Sequence, residues 1–111
     1  LTDNTREQDI IDAAECDWLV GAKLYPAGAT TNSSAGVSSI VSLMPILEKM
    51  AETGLVLQVH GEVTDPHIDI FDREAVFIEQ VLLPVTQELP ELKIVLEHIT
   101  TEQGIQFVES Q

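Results

Sequence analysis

Residues 21–34 read GAKLYPAGATTNSS. This stretch places a lysine at the end of an apolar run, and a loop of small and hydroxyl-bearing residues follows the lysine. The run, DWLVGAKL at residues 17–24, is apolar from Trp18 to Val20, so it predicts a short strand buried on both faces. Lys23 would lie where this strand ends. Its ammonium could simply reach water, or it could sit in a pocket where a neutral amine serves as nucleophile or ligand.

Two further apolar runs each carry a histidine near their end. His60 lies in GLVLQVHGE at residues 54–62, and His98 lies in LKIVLEHIT at residues 92–100. Lys23 and His60 are 37 residues apart, and His60 and His98 are 38 residues apart; each spacing is slightly longer than the roughly 31 residues per unit implied by a typical (β/α)₈ barrel. In such folds the carboxyl ends of the strands open onto one cavity. A lone histidine after a strand is more often a core or surface residue, whereas three ligand-type groups in register predict a site.

The segment between the first two strands predicts a helix. Apolar side chains at residues 40–50 follow helical spacing, and Ser38 or Ser39 precedes them as a candidate cap. Pro45 is expected to kink this helix or to mark its first turn. Gly54 is expected to end it.

Two other stretches also have helical spacing. Residues 5–15 carry a short apolar face that includes Ala14. Residues 71–82 carry a longer stripe that begins with Phe71, and Pro84 is expected to kink or end that helix.

A last helix is predicted over residues 101–110, with Thr100 or Thr101 as its cap. The resulting order, αβ-αβ-αβ-α, predicts an α/β fold with parallel strands and right-handed crossovers. A sheet of three parallel strands would have two open edges, which favours a segment of a larger enzyme over a free-standing domain.

The composition excludes several classes of partner. Nineteen acidic residues against five basic ones give a net charge of −14, which argues against nucleic acid and anionic membrane surfaces. Most of the acidic residues are interpreted as solvated helix faces.

The single cysteine, Cys16, cannot form an internal disulfide, which favours a reducing, cytoplasmic location. No stretch approaches about 18 uncharged apolar residues, and the acidic start, LTDNTREQD, is unlike a signal peptide.

Three separated motifs together resemble a known family. The chain resembles the central third of bacterial-type dihydroorotases, which are members of the amidohydrolase superfamily. The motifs that match in order and spacing are KLYPAGATTNSS, VHGEVTDPHIDIFDRE and EHITTEQG. The resemblance covers residues 1–111 and implies about three consecutive βα units of a (β/α)₈ TIM barrel. It also implies a hydrolase of pyrimidine biosynthesis that interconverts N-carbamoyl-L-aspartate and (S)-dihydroorotate, with a homodimer as the complete enzyme. The 111-residue chain alone is expected to be inactive.

The same resemblance implies a role for each matching residue. Lys23 would be carboxylated on its amine and would bridge two zinc ions, which makes it the catalytic residue of this segment. His60 and His98 would bind the second of those ions. Thr30 and Thr31 would lie on a mobile flap and bind the substrate. Carboxylation would explain how a lysine can bind metal, because a neutral amine that reacts with carbon dioxide becomes a two-oxygen anion able to bridge two metals.

Other polar residues receive lesser interpretations. Glu62 and Glu97 could orient the metal-binding histidines. His67, in an acidic loop, is expected to be exposed. Arg73 is expected to pair with neighbouring carboxylates such as Glu74.

The sequence also departs from the family. It has three histidines, none of them two residues from another, so the His-x-His pair for the first metal is missing, as is the late aspartate that acts as general acid and base. One alternative is another carboxylysine amidohydrolase, such as a hydantoinase or an allantoinase. Another is a truncated, non-catalytic homologue. A free-standing flavodoxin-like domain is a third, although no Gly-rich phosphate loop is present.

Overall fold

The structure, a computed structural model, describes residues 1–28, 36 and 39–111. Within them the elements follow the order α1 (Glu7–Glu15), β1 (Gly21–Leu24), α2 (Ile40–Thr53), β2 (Val56–Val59), α3 (Arg73–Phe77), a π-helical segment (Ile78–Leu82), α4 (Leu83–Glu88), β3 (Ile94–Leu96) and α5 (Glu102–Ser110). The strands of this part of the chain form one sheet in the order β1-β2-β3, and each neighbouring pair is parallel. The predicted α/β class and the parallel strands are confirmed.

The register of the sheet aligns the carboxyl ends of its strands. Lys23 pairs with Gln58, and the last residue of β2 pairs with the last residue of β3. The backbone hydrogen bonds continue one residue beyond the strands. The His60 amide donates to the carbonyl of Leu24 at 2.9 Å, and the Glu97 amide donates to the carbonyl of Val59 at 3.1 Å. Parallel strands in this register bring the residues that follow them to one edge of the sheet.

Helix α2 provides much of the core. Its predicted stripe packs on the sheet, and Leu47 and Met50 are fully buried; burying side chains of this size contributes about 1.5–3 kcal/mol each. Gly54 ends the helix with a φ of +76°, a left-handed conformation that suits glycine. Pro45 lies inside the helix and neither begins nor ends it. The carbonyl that Pro45 cannot bond belongs to Val41, which is 77% exposed, so water can satisfy it.

The first predicted strand is too long. Pairing with β2 begins only at the first residue of β1, and Trp18 and Val20 are 79% and 76% exposed. Before β1 the chain turns, with the Leu19 amide donating to the Cys16 carbonyl at 3.1 Å. The prediction that residues 17–24 form a strand buried on both faces is therefore wrong: residues 17–20 have no neighbouring strand to cover them, and within β1 only Leu24 is buried.

The helix predicted over residues 71–82 begins later and continues further. Phe71 precedes α3 and is 80% exposed, so its place in the apolar stripe was wrong. Pro84 does not end the helical stretch: it is the second residue of α4, which continues the π-helical segment without a break. The π-helical segment comes immediately before, and it changes the backbone hydrogen-bond spacing ahead of the proline.

The two terminal helices match their predictions in different degrees. Helix α1 begins after Arg6, whose amide donates to the Asp9 carboxylate at 2.8 Å. Ala13 packs against the core, whereas Ala14, which was predicted to lie on the apolar face, is exposed. Helix α5 is capped by Thr101, whose hydroxyl accepts from the Gly104 amide at 3.1 Å, as predicted. None of the helices in the described residues has the length and apolar character needed to cross a lipid bilayer.

Candidate metal centre

Lys23 lies near the carboxyl end of β1, and its ammonium forms an ion pair with the Glu97 carboxylate. Glu97 follows β3 directly, so this pair joins the two outer strands of the described sheet across the end of β2. Both side chains are about one-third exposed. Lys23 therefore points toward the strand-end edge of the sheet, where the sequence predicted a shared site.

The two predicted histidine ligands meet at the same edge. His60 Nδ1 lies 3.0 Å from His98 Nε2, although the residues are 38 positions apart. His60 is buried, and His98 is exposed. His98 has a φ of +38°, a left-handed conformation that costs a non-glycine residue about 1 kcal/mol or more and that occurs preferentially at functional sites.

The two nitrogens are at hydrogen-bonding distance, and their separation is also close to what a shared zinc ion would require. Zinc–nitrogen bonds of about 2.0–2.1 Å in a tetrahedral site place two ligating nitrogens about 3.3 Å apart, close to the 3.0 Å between His60 Nδ1 and His98 Nε2. The other ring nitrogen, His60 Nε2, is buried and has no hydrogen-bond partner. The nearest carboxylate oxygen, on Glu62, is 3.6 Å away, slightly beyond hydrogen-bonding distance. A histidine that binds metal through one nitrogen usually directs the other toward such a carboxylate.

Burial lowers the pKa of His60. The positive charges of His98 and Lys23 act in the same direction, while the Glu62 carboxylate opposes them. A lowered pKa keeps the imidazole neutral near pH 7, which is the state that binds a metal.

A buried carboxylate holds the loop that follows His98. Glu74, in α3, accepts from the Thr100 amide at 3.0 Å and from the Thr101 amide at 2.9 Å. It also accepts from both threonine hydroxyls. Arg73 was expected to pair locally with neighbouring carboxylates; its bond is local, but it donates to the backbone carbonyl of Ile68 at 3.2 Å. A threonine pair follows His98 in the sequence, and threonine amides and hydroxyls are good donors to a carboxylate.

The chain is similar to known dihydroorotases over nearly its whole length. It is 59% identical over 108 residues to dihydroorotase from Laribacter hongkongensis and 60% identical over 110 residues to that of Shewanella sediminis, covering 97% and 99% of this chain. It spans about a third of the length of these relatives, 31% and 32%. No protein-family model matches the chain.

Solved structures agree with the sequence relatives. The dihydroorotase from Campylobacter jejuni superposes with a TM-score of 0.83 at 41% identity, over 96% of this chain and 30% of that one. The Saccharomyces cerevisiae dihydroorotase, solved in complex with 5-fluoroorotic acid, superposes with a TM-score of 0.88 at 37% identity, over 99% of this chain and 32% of that one. This chain belongs to the dihydroorotase family.

The dihydroorotase resemblance predicted five site residues, and the structure brings three of them to one place. Lys23, His60 and His98 share the strand-end edge, where the charge of Lys23 acts on His60. Thr30 and Thr31 lie outside the described residues. His67 is exposed, as predicted.

These ligand-type residues do not by themselves complete a dihydroorotase metal centre. Within residues 1–28, 36 and 39–111, no three or more His, Cys, Asp or Glu side chains are grouped so that they could hold a metal ion. A metal at the His60–His98 pair would therefore need Lys23 as a further ligand from this part of the chain. This agrees with the missing His-x-His pair noted in the sequence.

Proposed function

We propose that this chain supplies half of a two-zinc centre in a dihydroorotase that interconverts N-carbamoyl-L-aspartate and (S)-dihydroorotate. The observation that carries the proposal is the pairing of His60 Nδ1 and His98 Nε2 at 3.0 Å, at the sheet edge where Lys23 also lies. Residues 1–111 would act as one segment of a metal-dependent barrel domain. Since the chain spans about a third of its relatives, the activity belongs to the complete barrel and not to these residues alone.

Lys23 would bind metal only after carboxylation of its side-chain amine. Its ammonium must first lose a proton; the free amine then forms an N–C bond to carbon dioxide, one C=O π bond breaks onto oxygen, and a second proton leaves the nitrogen. The product is an N6-carboxylysine, a carbamate whose single negative charge is shared by two oxygens.

His60 and His98 would each offer a nitrogen lone pair to the second zinc ion. Burial keeps His60 neutral, and Glu62 lies where it could receive the N–H of the other ring nitrogen after a shift of a few tenths of an ångström. Bound zinc would supply Lewis acidity, which activates water and the ring amide for hydrolysis.

Substrate contacts would come partly from Thr30 and Thr31, whose motif matches the family's flap. The yeast relative was solved with 5-fluoroorotic acid, a pyrimidine carboxylate, which supports a substrate of the dihydroorotate type. We further propose a cytoplasmic homodimer for the complete enzyme, with no nucleic acid or membrane partner. The net charge of −14 supports the exclusion of polyanions.

The experiment that tests the function grafts residues 1–111 in place of the matching segment of the Laribacter hongkongensis dihydroorotase, 59% identical over 108 residues. We call the product the chimera. It is expected to bind two zinc ions per protomer and to open dihydroorotate within about tenfold of the parent rate. Hydantoin and allantoin are assayed beside it. Zinc content below one per protomer, or turnover of either rival substrate in place of dihydroorotate, would overturn the proposal.

A further inference from the structure

Glu74 is the one charged side chain outside the metal centre that the described residues bury almost completely, at 4% exposed. A buried carboxylate is costly unless donors surround it. Here the donors come from a single short loop: the amides and hydroxyls of Thr100 and Thr101, with the two amides at 3.0 and 2.9 Å. The carboxylate thus links α3 to a loop 26 residues further along the chain.

The packing around this carboxylate is close. A Cβ added to Gly104 would come within 2.9 Å of Glu74 Oε2 and within 2.6 Å of the Ile99 side chain. Gly104 is itself buried, in the first turn of α5. The carboxylate therefore fills a position from which it cannot move without loosening the loop.

The loop that Glu74 holds begins at His98. Only Ile99 separates the strained His98 backbone, φ +38°, from the Thr100 amide. A residue in a left-handed conformation keeps it only when its surroundings enforce it. On the far side of the loop, α5 is capped by Thr101, and Glu74 fixes both threonines to α3.

We propose that Glu74 is a positioning residue that sets the direction of the His98 imidazole toward the metal. This inference rests on the proposed zinc site. Glu74 does not touch His98; it acts through the two threonine amides that fix the backbone after His98. Loss of such an orienting contact typically lowers metal affinity or activity by about 10- to 100-fold.

The proposal is tested in the chimera with Glu74→Gln, which keeps the shape of the side chain but replaces one acceptor oxygen with a donor. Two measurements are made on purified protein: zinc affinity by competition with a chelator, and the visible spectrum of the cobalt-substituted enzyme, which reports the coordination geometry. Affinity at the weaker zinc site is expected to fall by about 10- to 100-fold, with a changed cobalt spectrum and a matching fall in kcat at nearly constant KM.

Two controls separate positioning from simple structural support. Glu79→Gln alters an exposed carboxylate in the same helical stretch and should change nothing. Thr101→Ala removes the α5 cap but keeps both amide bonds to Glu74, so it should lower the melting temperature and leave the cobalt spectrum unaltered. Glu74→Ala is a harsher variant; if it does not fold, Glu74→Gln still decides.

The outcomes are distinct. If the unsubstituted chimera binds no zinc, the proposed function fails and not only this inference. If the chimera is loaded and active while Glu74→Gln matches Glu79→Gln, or loses stability with zinc affinity and spectrum no more altered than in Thr101→Ala, the positioning role is overturned. Weakened zinc binding and a changed spectrum in Glu74→Gln alone support it.

Discussion

Lys23 has a defined partner in the structure, and that partner is the Glu97 carboxylate. The ammonium that forms this ion pair is not the species that binds zinc. The same side chain would therefore serve two arrangements, a cation paired with Glu97 and an anion shared by two metals. Only a residue whose amine can be deprotonated can pass between them.

Lys23→Arg is accordingly expected to be as damaging as Lys23→Ala. A guanidinium stays protonated and cannot be carboxylated, so both variants of the chimera should lose most of their zinc and nearly all turnover. Zinc content and kcat are measured together, with Lys49→Arg in α2 as the matched control, because the Lys49 side chain is 25% exposed and pairs with Glu52. Retention of more than about a tenth of the parent rate would refute a metal-generated nucleophile that depends on Lys23.

His60 predicts a pH dependence for the metal-free protein. Burial lowers the pKa of His60 in the folded state below the ordinary 6.5, so the unfolded chain binds more protons in the interval between the two values. The free energy of unfolding should therefore fall as the pH drops through that interval, by at most about 1.4 kcal/mol per pH unit, and should show no contribution from His60 above it.

Urea unfolding of the chelator-treated chimera at several pH values between 5 and 8 measures this effect. His60→Gln should flatten the curve below pH 6.5, because glutamine does not titrate. An equal acid sensitivity in parent and variant would assign it to other groups.

The shared position of Lys23, His60 and His98 could be predicted from sequence because each lies at or near the end of an apolar run, and parallel strands place their ends together. Glu74 could not be predicted in this way. Its partners are 26 and 27 residues distant, and nothing in its local sequence distinguishes it from the acidic neighbours that face solvent.

At the level of elements, the apolar pattern predicted that β1 exists but not where it begins. Apolar composition predicted a strand from residue 17, but a strand extends only as far as a neighbour pairs with it, and β2 pairs with four residues. The helix ends were better predicted, since Gly54 and Thr101 act through local backbone geometry. The π-helical segment has no sequence pattern that distinguishes it from an α-helix.

Gly21, the first residue of β1, is expected to tolerate no side chain. A Cβ there would lie 2.6 Å from the Val56 carbonyl oxygen, a backbone atom of the neighbouring strand that cannot easily yield. Gly21→Ala should destabilise the chimera by about 1–3 kcal/mol, measured by urea unfolding. At Gly61 the nearest atom is the flexible tip of Leu96, at 2.7 Å, so Gly61→Ala should cost less. A reversed order would show that the β1–β2 pairing adapts.

At the scale of the whole molecule, the described sheet is open at β1 and at β3. Val95 in β3 is 46% exposed, and Ile105 and Val108 of α5 are 53% and 48% exposed. Unpaired strand edges and apolar side chains favour association with another chain or with further strands. The strong net charge opposes aggregation but supplies no partner for the backbone.

The 111 residues expressed by themselves are therefore expected to bind zinc weakly, to open no dihydroorotate, and to self-associate or precipitate. Lys23, His60 and His98 offer one zinc at most three ligands, and the carboxylated form of Lys23 depends on the metals that hold it. Zinc titration, a ring-opening assay and size-exclusion chromatography test this. Two tightly bound zinc ions with measurable turnover would show that the open sheet already holds a complete centre.

The Glu74 carboxylate also limits how this fold can be recombined. Successive βα units of a barrel are often treated as interchangeable modules, yet here a helix of one unit holds the loop of the next through Thr100 and Thr101. A crossover between two parental genes that falls between residues 75 and 99 would take the acceptor from one parent and its donors from the other. Breakpoints before residue 73 or after residue 101 keep the pair together, so libraries of shuffled variants should retain more active members when they use those positions.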